Sequence, residues 1–289
     1  MAKCALILTT YNRPKLLADC LQSIEGQDTR VFCLYLMDDG SNQAARDVIE
    51  RWREQTTVEH HWWEGEDRPA ADRKRTISYS RSINHALNHL LGAEECVAYV
   101  CDDDYLYPES ISGRMAALLE LGGPRVVFGR SRSVQYGAGA AFNTWQANEF
   151  PESGVAFPRP RGRRVLHAEG ASARTYFDDG TVDPQTGLDY VEEAFWQPGE
   201  WWYGRPYSTD HNQVMHHSTA LEAIKHLCPQ GADLGGIQYW GEDMRWGVGD
   251  KAFFTKLGHV FPFHAVDVWT VTKRYHLGSD GVQMGERRE

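Results

Sequence analysis

The sequence predicts an α/β fold with a mostly parallel central sheet and helices on both of its faces. Three observations carry that expectation. Short, wholly apolar runs alternate with stretches of helical periodicity through the first 128 residues, the order expected of βαβ units. These runs show little polar alternation, as befits strands buried on both faces. Three of them end in polar clusters, Thr9 to Arg13, Asp38 to Ser41 and Asp102 to Asp104, and open parallel sheets bind ligands outside the carboxyl ends of their strands.

Taken in order, Ala5 to Leu8 forms the first strand, stopped by Thr-Thr-Tyr-Asn-Arg-Pro. Pro14 to Ile24 is a helix, with Pro at its permitted first turn and Leu16, Leu17, Cys20, Leu21 and Ile24 at helical spacing. Val31 to Met37 is the second strand, and Gln43 to Arg53 a helix with Val48, Ile49 and Trp52 on one face. Val58 to Trp63 is the third strand. A long helix from about Asp72 to Leu91 and a fourth strand, Val97 to Cys101, follow. Pro108 opens a helix through Met115, Leu118 and Leu119.

The second half is less regular. Residues from about 137 to 210 are rich in Gly, Pro, Arg and Trp, with short strand-like pieces such as Arg164 to His167. Order returns in the strand Gln213 to His216, a helix through Leu221, Ile224 and Leu227, and a helix from about Asp250 to Leu257. The tail after His276 is expected to fray. There is no internal repeat and no low-complexity tract. The whole chain, 1–289, is read as a single domain with halves 1–128 and 129–289 and a loop-rich insertion near 137–210.

Hydrophobic residues make up 42% of the chain and charged residues 24%, which excludes disorder as the main state. No apolar run reaches the roughly 20 residues of a membrane span, and the N-terminus lacks the apolar core of a signal peptide. A cytoplasmic protein is the expectation. The formal charge of -10 argues against nucleic acid as a partner, although Arg159, Arg161, Arg163 and Arg164 form a local basic cluster. The six cysteines contain no CxxC pair and are read as reduced thiols.

Asp102, Asp103 and Asp104 at a strand end repel one another. A hard divalent ion, Mn²⁺ or Mg²⁺, relieves that repulsion and completes its shell with phosphates and water. A turn or helix cap is the structural alternative. There is no GxxxxGK[ST] loop, and no GxGxxG follows the first strand, which argues against P-loop ATPases and dinucleotide-dependent dehydrogenases. Phosphates would instead be neutralised by metal and side chains, with Arg73, Lys74, Arg75 and Arg81 available on the long helix.

The motifs Thr9-Thr10-Tyr11-Asn12-Arg13-Pro14, Asp38-Asp39-Gly40-Ser41, Ser80-Arg81-Ser82-Ile83-Asn84 and Asp102-Asp103-Asp104, in that order, resemble those of family 2 glycosyltransferases. So do Val214-Met215-His216 and the segment Gly249-Asp250 through Phe263. Each motif is weak alone, whereas the ordered set is specific; together they cover roughly 3–128 and 211–268. The resemblance implies a GT-A fold, Rossmann-like in its first half and with a less regular acceptor-binding half. It implies inverting, metal-dependent transfer of a sugar from a UDP- or dTDP-sugar to an acceptor hydroxyl.

Residue by residue, it implies that Thr9, Tyr11 and Arg13 contact the nucleotide, and that Asp39 accepts the N3–H of uracil or thymine. Asp102 binds ribose or the metal shell, Asp103 holds the metal, and Asp250 is the general base. A helix N-cap is the alternative for Asp250, and Glu242-Asp243 is a competing acidic pair. The family's phosphate-contacting helix arginine does not align: Ser78 falls there, leaving Arg73, Arg75 or Arg81 to substitute. His216 is placed near the cleft, and His276 is a candidate late metal ligand. Trp201 and Trp202 could stack on sugar rings. The acceptor is open between polysaccharide, metabolite, protein and modified base. Two other classes fit an α/β chain with rim aspartates: a nucleotidyltransferase, which would carry a Gly-rich basic loop after the first strand, and a binding module without transfer.

Overall fold

Strands β1 (Cys4–Thr10) and β2 (Phe32–Asp38) are buried along their whole length, because helices cover both faces of the sheet they belong to. Side chains alternate between faces along a strand. Cys4, Leu6, Leu8, Phe32, Leu34 and Leu36 therefore pack on one side with α1 (Pro14–Glu25), α2 (Gln43–Gln55) and α4 (Ser110–Leu118). Ala5, Ile7, Cys33, Tyr35 and Met37 pack on the other with α3 (Ser78–His89), α5 (Thr219–Ile224) and α6 (Gly249–Val260). This computed structural model describes residues 3–69, 77–120, 125–135, 210–242 and 249–275, and the backbone of four short strands between 164 and 202.

The remaining strands are β3 (His60–Glu64), β4 (Cys96–Cys101), β5 (Tyr105–Leu106), β6 (Val126–Gln135), β11 (Val214–His217) and β12 (Phe263–Tyr275). With β10 (Trp201–Trp202) they build one sheet in the order β10-β12-β6-β11-β4-β1-β2-β3, and β5 adds to β12. β1 pairs in parallel with both β2 and β4, while β11, β10 and β5 run antiparallel to their neighbours. The order turns back at β1, so the carboxyl ends of β1 and β4 open side by side; Thr9 faces Cys101 in register. A separate sheet joins β7 (Arg164–Leu166), β8 (Ser172–Tyr176) and β9 (Tyr190–Ala194).

The expected first-half elements are all present within a few residues. The long helix is described from Ser78, and Arg73, Lys74 and Arg75 lie outside the described residues, as do Asp243, His276 and most of the 137–210 segment with Arg159, Arg161 and Arg163. β6 and β12 are strands that the sequence reading does not contain. None of the six cysteines is paired, and five of them are buried. Among the described residues, no helix is long and apolar enough to cross a membrane.

His216 is not at the cleft. It sits fully buried in the core, with Nε2 2.8 Å from the Tyr99 hydroxyl and Nδ1 2.8 Å from the His217 carbonyl. A carbonyl only accepts, so Nδ1 carries the proton and Tyr99 donates to Nε2. Burial pulls the His216 pKa down to about 4. Because its charged form is disfavoured in the folded state, its contribution is intact above the ordinary value of about 6.5 and is lost as pH falls toward 4. The expected loss is about 3 kcal/mol. Urea midpoints of wild type and His216→Gln at pH 7 and 4.5 check it; equal pH dependence in the two proteins would refute the assignment.

Candidate active site

Each polar cluster is shaped by its own backbone. After β2, Asp38 Oδ1 accepts the Ser41 amide at 2.8 Å, closing a tight turn. Gly40 occupies that turn at φ +77°, and a Cβ there would lie 2.5 Å from the Glu66 carbonyl oxygen, so only glycine fits. After β1, Asn12 takes a left-handed φ of 55°, which Asn tolerates better than most residues. Its amide donates to Ser41 Oγ at 3.0 Å, and its side chain accepts the Asn42 amide at 2.6 Å. The two loops are thus locked together.

The turn presents Asp39 to two arginines. Arg81 Nη1 donates to Asp39 Oδ1 at 3.1 Å, and Arg68 Nη2 to Asp39 Oδ2 at 3.0 Å and to Ser78 Oγ at 3.0 Å. Arg81 Nε also reaches Asp233. Arg68 lies in the loop after β3, outside any periodic element, and sequence reasoning missed it.

The three acids after β4 have three different settings. Asp102 accepts from Thr10 Oγ1 at 2.7 Å, the Tyr11 amide at 3.2 Å and Arg13 Nη1 at 3.0 Å, with its side chain 3% exposed. Burial pushes its carboxyl above the ordinary value, against the pull of Arg13. Asp103 is the most open at 15%, and meets Arg13 Nη1 at 2.8 Å. Asp104 is buried, accepting from the Asn212 side chain and from the Arg274 amide at 3.2 Å. Burial first, and then the Asp103 charge, raise its carboxyl well above the usual range. Thr9 is buried with Oγ1 beside Cys101 Sγ, whereas the Tyr11 side chain is exposed.

A second group of ionisable side chains gathers around Asp250 at the start of α6. Gly249 lets that start approach α3 closely: a Cβ there would lie 1.8 Å from Ser80 Oγ. Asp250 Oδ1 accepts the Lys251 amide at 2.6 Å. Ligand-type atoms of Asp210, His211 and Asp250 lie within 4.8 Å of one another, a set that could hold a divalent ion. His211 stacks on Tyr79 at 5.8 Å. Its Nε2 lies 3.0 Å from Cys101 Sγ and its Nδ1 3.3 Å from Asp210 Oδ1. Burial and the surrounding acids push the Cys101 thiol up, which keeps it protonated beside the imidazole. Partial burial favours the neutral form of Asp210, yet Lys273 and His211 hold its carboxyl far below the usual carboxylate range. Asp210 also caps the short 3-10 turn His211–Gln213 in a reciprocal capping box with Gln213, a D-x-x-Q signal present in the sequence.

Glu242 is accounted for structurally: its oxygens accept Asn84 Nδ2 at 2.7 Å and the Asp233 amide at 2.8 Å. Of the residues expected at the site, Thr9, Tyr11, Arg13, Asp39, Arg81, Asp102 and Asp103 line the β1, β2 and β4 ends and the facing helix, and Asp250 joins Asp210 and His211. Arg73 is outside the described residues.

The sequence profile described as Glycosyl transferase family 2 matches residues 5–179. Protein CgeD of Bacillus subtilis (strain 168) is 26% identical over 262 residues, 90% of this chain and 47% of CgeD. The chain thus spans about half the length of that relative. The crystal structure of S. aureus TarS 1-349 superposes with a TM-score of 0.53 at 15% identity, over 94% of this chain and 60% of that one. The same protein in complex with UDP-GlcNAc gives 0.51 at 14%, over 96% and 60%. These structures share the GT-A fold with the chain, and the profile match over most of its length means that the chain belongs to glycosyl transferase family 2.

Proposed function

We propose that this chain is an inverting glycosyltransferase that moves a sugar from a UDP- or dTDP-sugar to a carbohydrate or other acceptor hydroxyl, with Mn²⁺ or Mg²⁺ as cofactor. The observation that carries the reading is the division of the rim acids into two groups. Asp39, Asp102 and Asp103 stand with Arg13 and Arg81 at the β1, β2 and β4 ends, and Asp250 stands with Asp210 and His211 at α6. One group suits a nucleoside diphosphate, the other an acceptor hydroxyl.

In this reading 1–128 is the donor half and 129–289 the acceptor half of a single domain. Thr9, Tyr11 and Arg13 border the nucleotide. Arg68 and Arg81 hold the Asp39 carboxylate in place at the end of β2, and an ionised carboxylate is the acceptor that a pyrimidine N3–H requires. Arg81, with Arg73 beyond the described residues, supplies charge toward the diphosphate. Asp102 serves the ribose side and the metal shell through the loop it holds. The residues fit a hard cation: Asp103 offers the most open carboxylate of the three, and an ion there would neutralise the diphosphate leaving group. Asp250 takes the acceptor proton during attack from the opposite face, which inverts the anomeric centre. Asp210 is the poorer base, since a carboxylate held far below its usual range by Lys273 binds a proton weakly. Reduced thiols fit a cytoplasmic setting.

Melting the protein with UDP, dTDP, GDP, CDP or ADP, each with Mn²⁺ and with EDTA, tests the donor assignment. A ligand at 100 times its dissociation constant stabilises by about 2.7 kcal/mol. A Mn²⁺-dependent shift with UDP or dTDP alone is expected. No shift with any of the five would remove the nucleotide-sugar reading.

A further inference from the structure

We propose that Lys273 and Arg274, consecutive residues near the end of β12, are positioning residues that tie the two acidic groups of the site into one frame. The Arg274 side chain has 0% exposure, and it bonds to backbone carbonyls as well as to a carboxylate. Nη1 donates to Asp19 Oδ2 of α1 at 2.9 Å, Nε to the Asp103 carbonyl at 2.5 Å, and Nη2 to the carbonyls of Leu16 at 3.0 Å and Asp102 at 3.5 Å. Its own amide donates to Asp104 Oδ1 at 3.2 Å. Burying a guanidinium costs more than burying an apolar side chain of similar size. What the planar fork adds is direction: it fixes the peptides of Asp102 and Asp103, and so the line along which the Asp103 side chain leaves the loop.

The strand supplies the rest. Successive side chains leave a strand on opposite faces, and Lys273, one residue earlier, reaches Asp210 Oδ2 at 2.5 Å, in the group that contains Asp250. Thr272 pairs with Tyr105, directly after the acidic loop, and β6 pairs with β12 on through Tyr275. The dipeptide is thus held in the sheet while it holds both groups.

The inference rests on the reading of Asp103 as metal ligand, so the experiment separates the two. UDP binding is measured by calorimetry across a Mn²⁺ titration, and with EDTA, for wild type, Arg274→Lys, Asp19→Asn, Lys273→Met and Asp103→Asn. Arg274→Lys keeps the charge and loses the fork; Asp19→Asn loosens the same clamp from α1 should the lysine variant fail to fold. Both are expected to raise the Mn²⁺ midpoint about 10-fold or more, the usual scale for residues that orient a metal ligand, with EDTA-state UDP binding near wild type. Lys273→Met is expected to leave the midpoint unchanged and to lower kcat without raising donor KM. If Asp103→Asn loses Mn²⁺ dependence while Arg274→Lys and Asp19→Asn melt earlier with wild-type midpoints, Arg274 is merely structural and the proposal fails. If Asp103→Asn keeps wild-type Mn²⁺ dependence, the metal reading fails, and the positioning role with it.

Discussion

Asp250→Asn is expected to reduce sugar transfer by about 10²- to 10⁴-fold, the usual contribution of a positioned general base, while UDP with Mn²⁺ stabilises the variant as it does wild type. The substitution is chosen to isolate proton transfer. Asn has nearly the shape of Asp, and its amide oxygen can still accept the Lys251 amide that Asp250 Oδ1 accepts at 2.6 Å in the first turn of α6. If Asp250 is only a cap, transfer by the variant stays near wild type. A binding module without transfer would leave both proteins inert toward every acceptor while nucleotide binding persisted. Turnover is followed by nucleoside diphosphate release in the presence of acceptor. Asp210→Asn provides the comparison: with Lys273 keeping Asp210 ionised, its effect should run through the placement of His211 and remain smaller than that of Asp250→Asn.

The parts of this architecture that were legible in the sequence are those whose environment is uniform along the chain. β1, β2 and β4 are covered on both faces, so they read as unbroken apolar runs between amphipathic helices. β6 and β12 have mixed surroundings. β12 buries Thr270, Thr272 and Arg274, polar residues whose satisfaction comes from Arg130, Tyr107 and Asp19, between 140 and 255 positions away. No local pattern announces such partners. The same holds for Arg68, in a loop 29 residues from Asp39, and for Lys273 with Asp210. Asp102, Asp103 and Asp250 could be singled out because acids at a strand end and at a helix start are locally conspicuous. His216 was misplaced for the converse reason: it stands in a motif near the site, yet alternation along β11 turns it into the core against Tyr99.

The contrast between neighbouring acids is expected to be as large as the loss of the base. Asp102→Asn should destabilise the fold by about 3 kcal/mol, the low end of the range for removing one partner of a buried ion pair, because the Arg13 side chain is 30% exposed. For a chain of this size that amounts to a fall in Tm of roughly 10 °C. The reason lies in the donor count. Thr10 Oγ1, the Tyr11 amide and Arg13 Nη1 all donate to Asp102, so an Asn there can turn its oxygen toward only one side and must set its amide group against donors on the other. The β1 loop then loses its anchor on β4, and Arg13 retains Asp103 alone between the two acids. Asp103→Asn is the opposite case. Its carboxylate is more open, and Arg13 keeps Asp102, so the stability cost should stay near ~1 kcal/mol, whereas the Mn²⁺-dependent part of UDP stabilisation should vanish. Melting curves of the two variants with and without UDP and Mn²⁺ decide the matter, because a stable Asp102→Asn protein lacking metal dependence, beside an unstable Asp103→Asn protein that keeps it, would exchange the two roles.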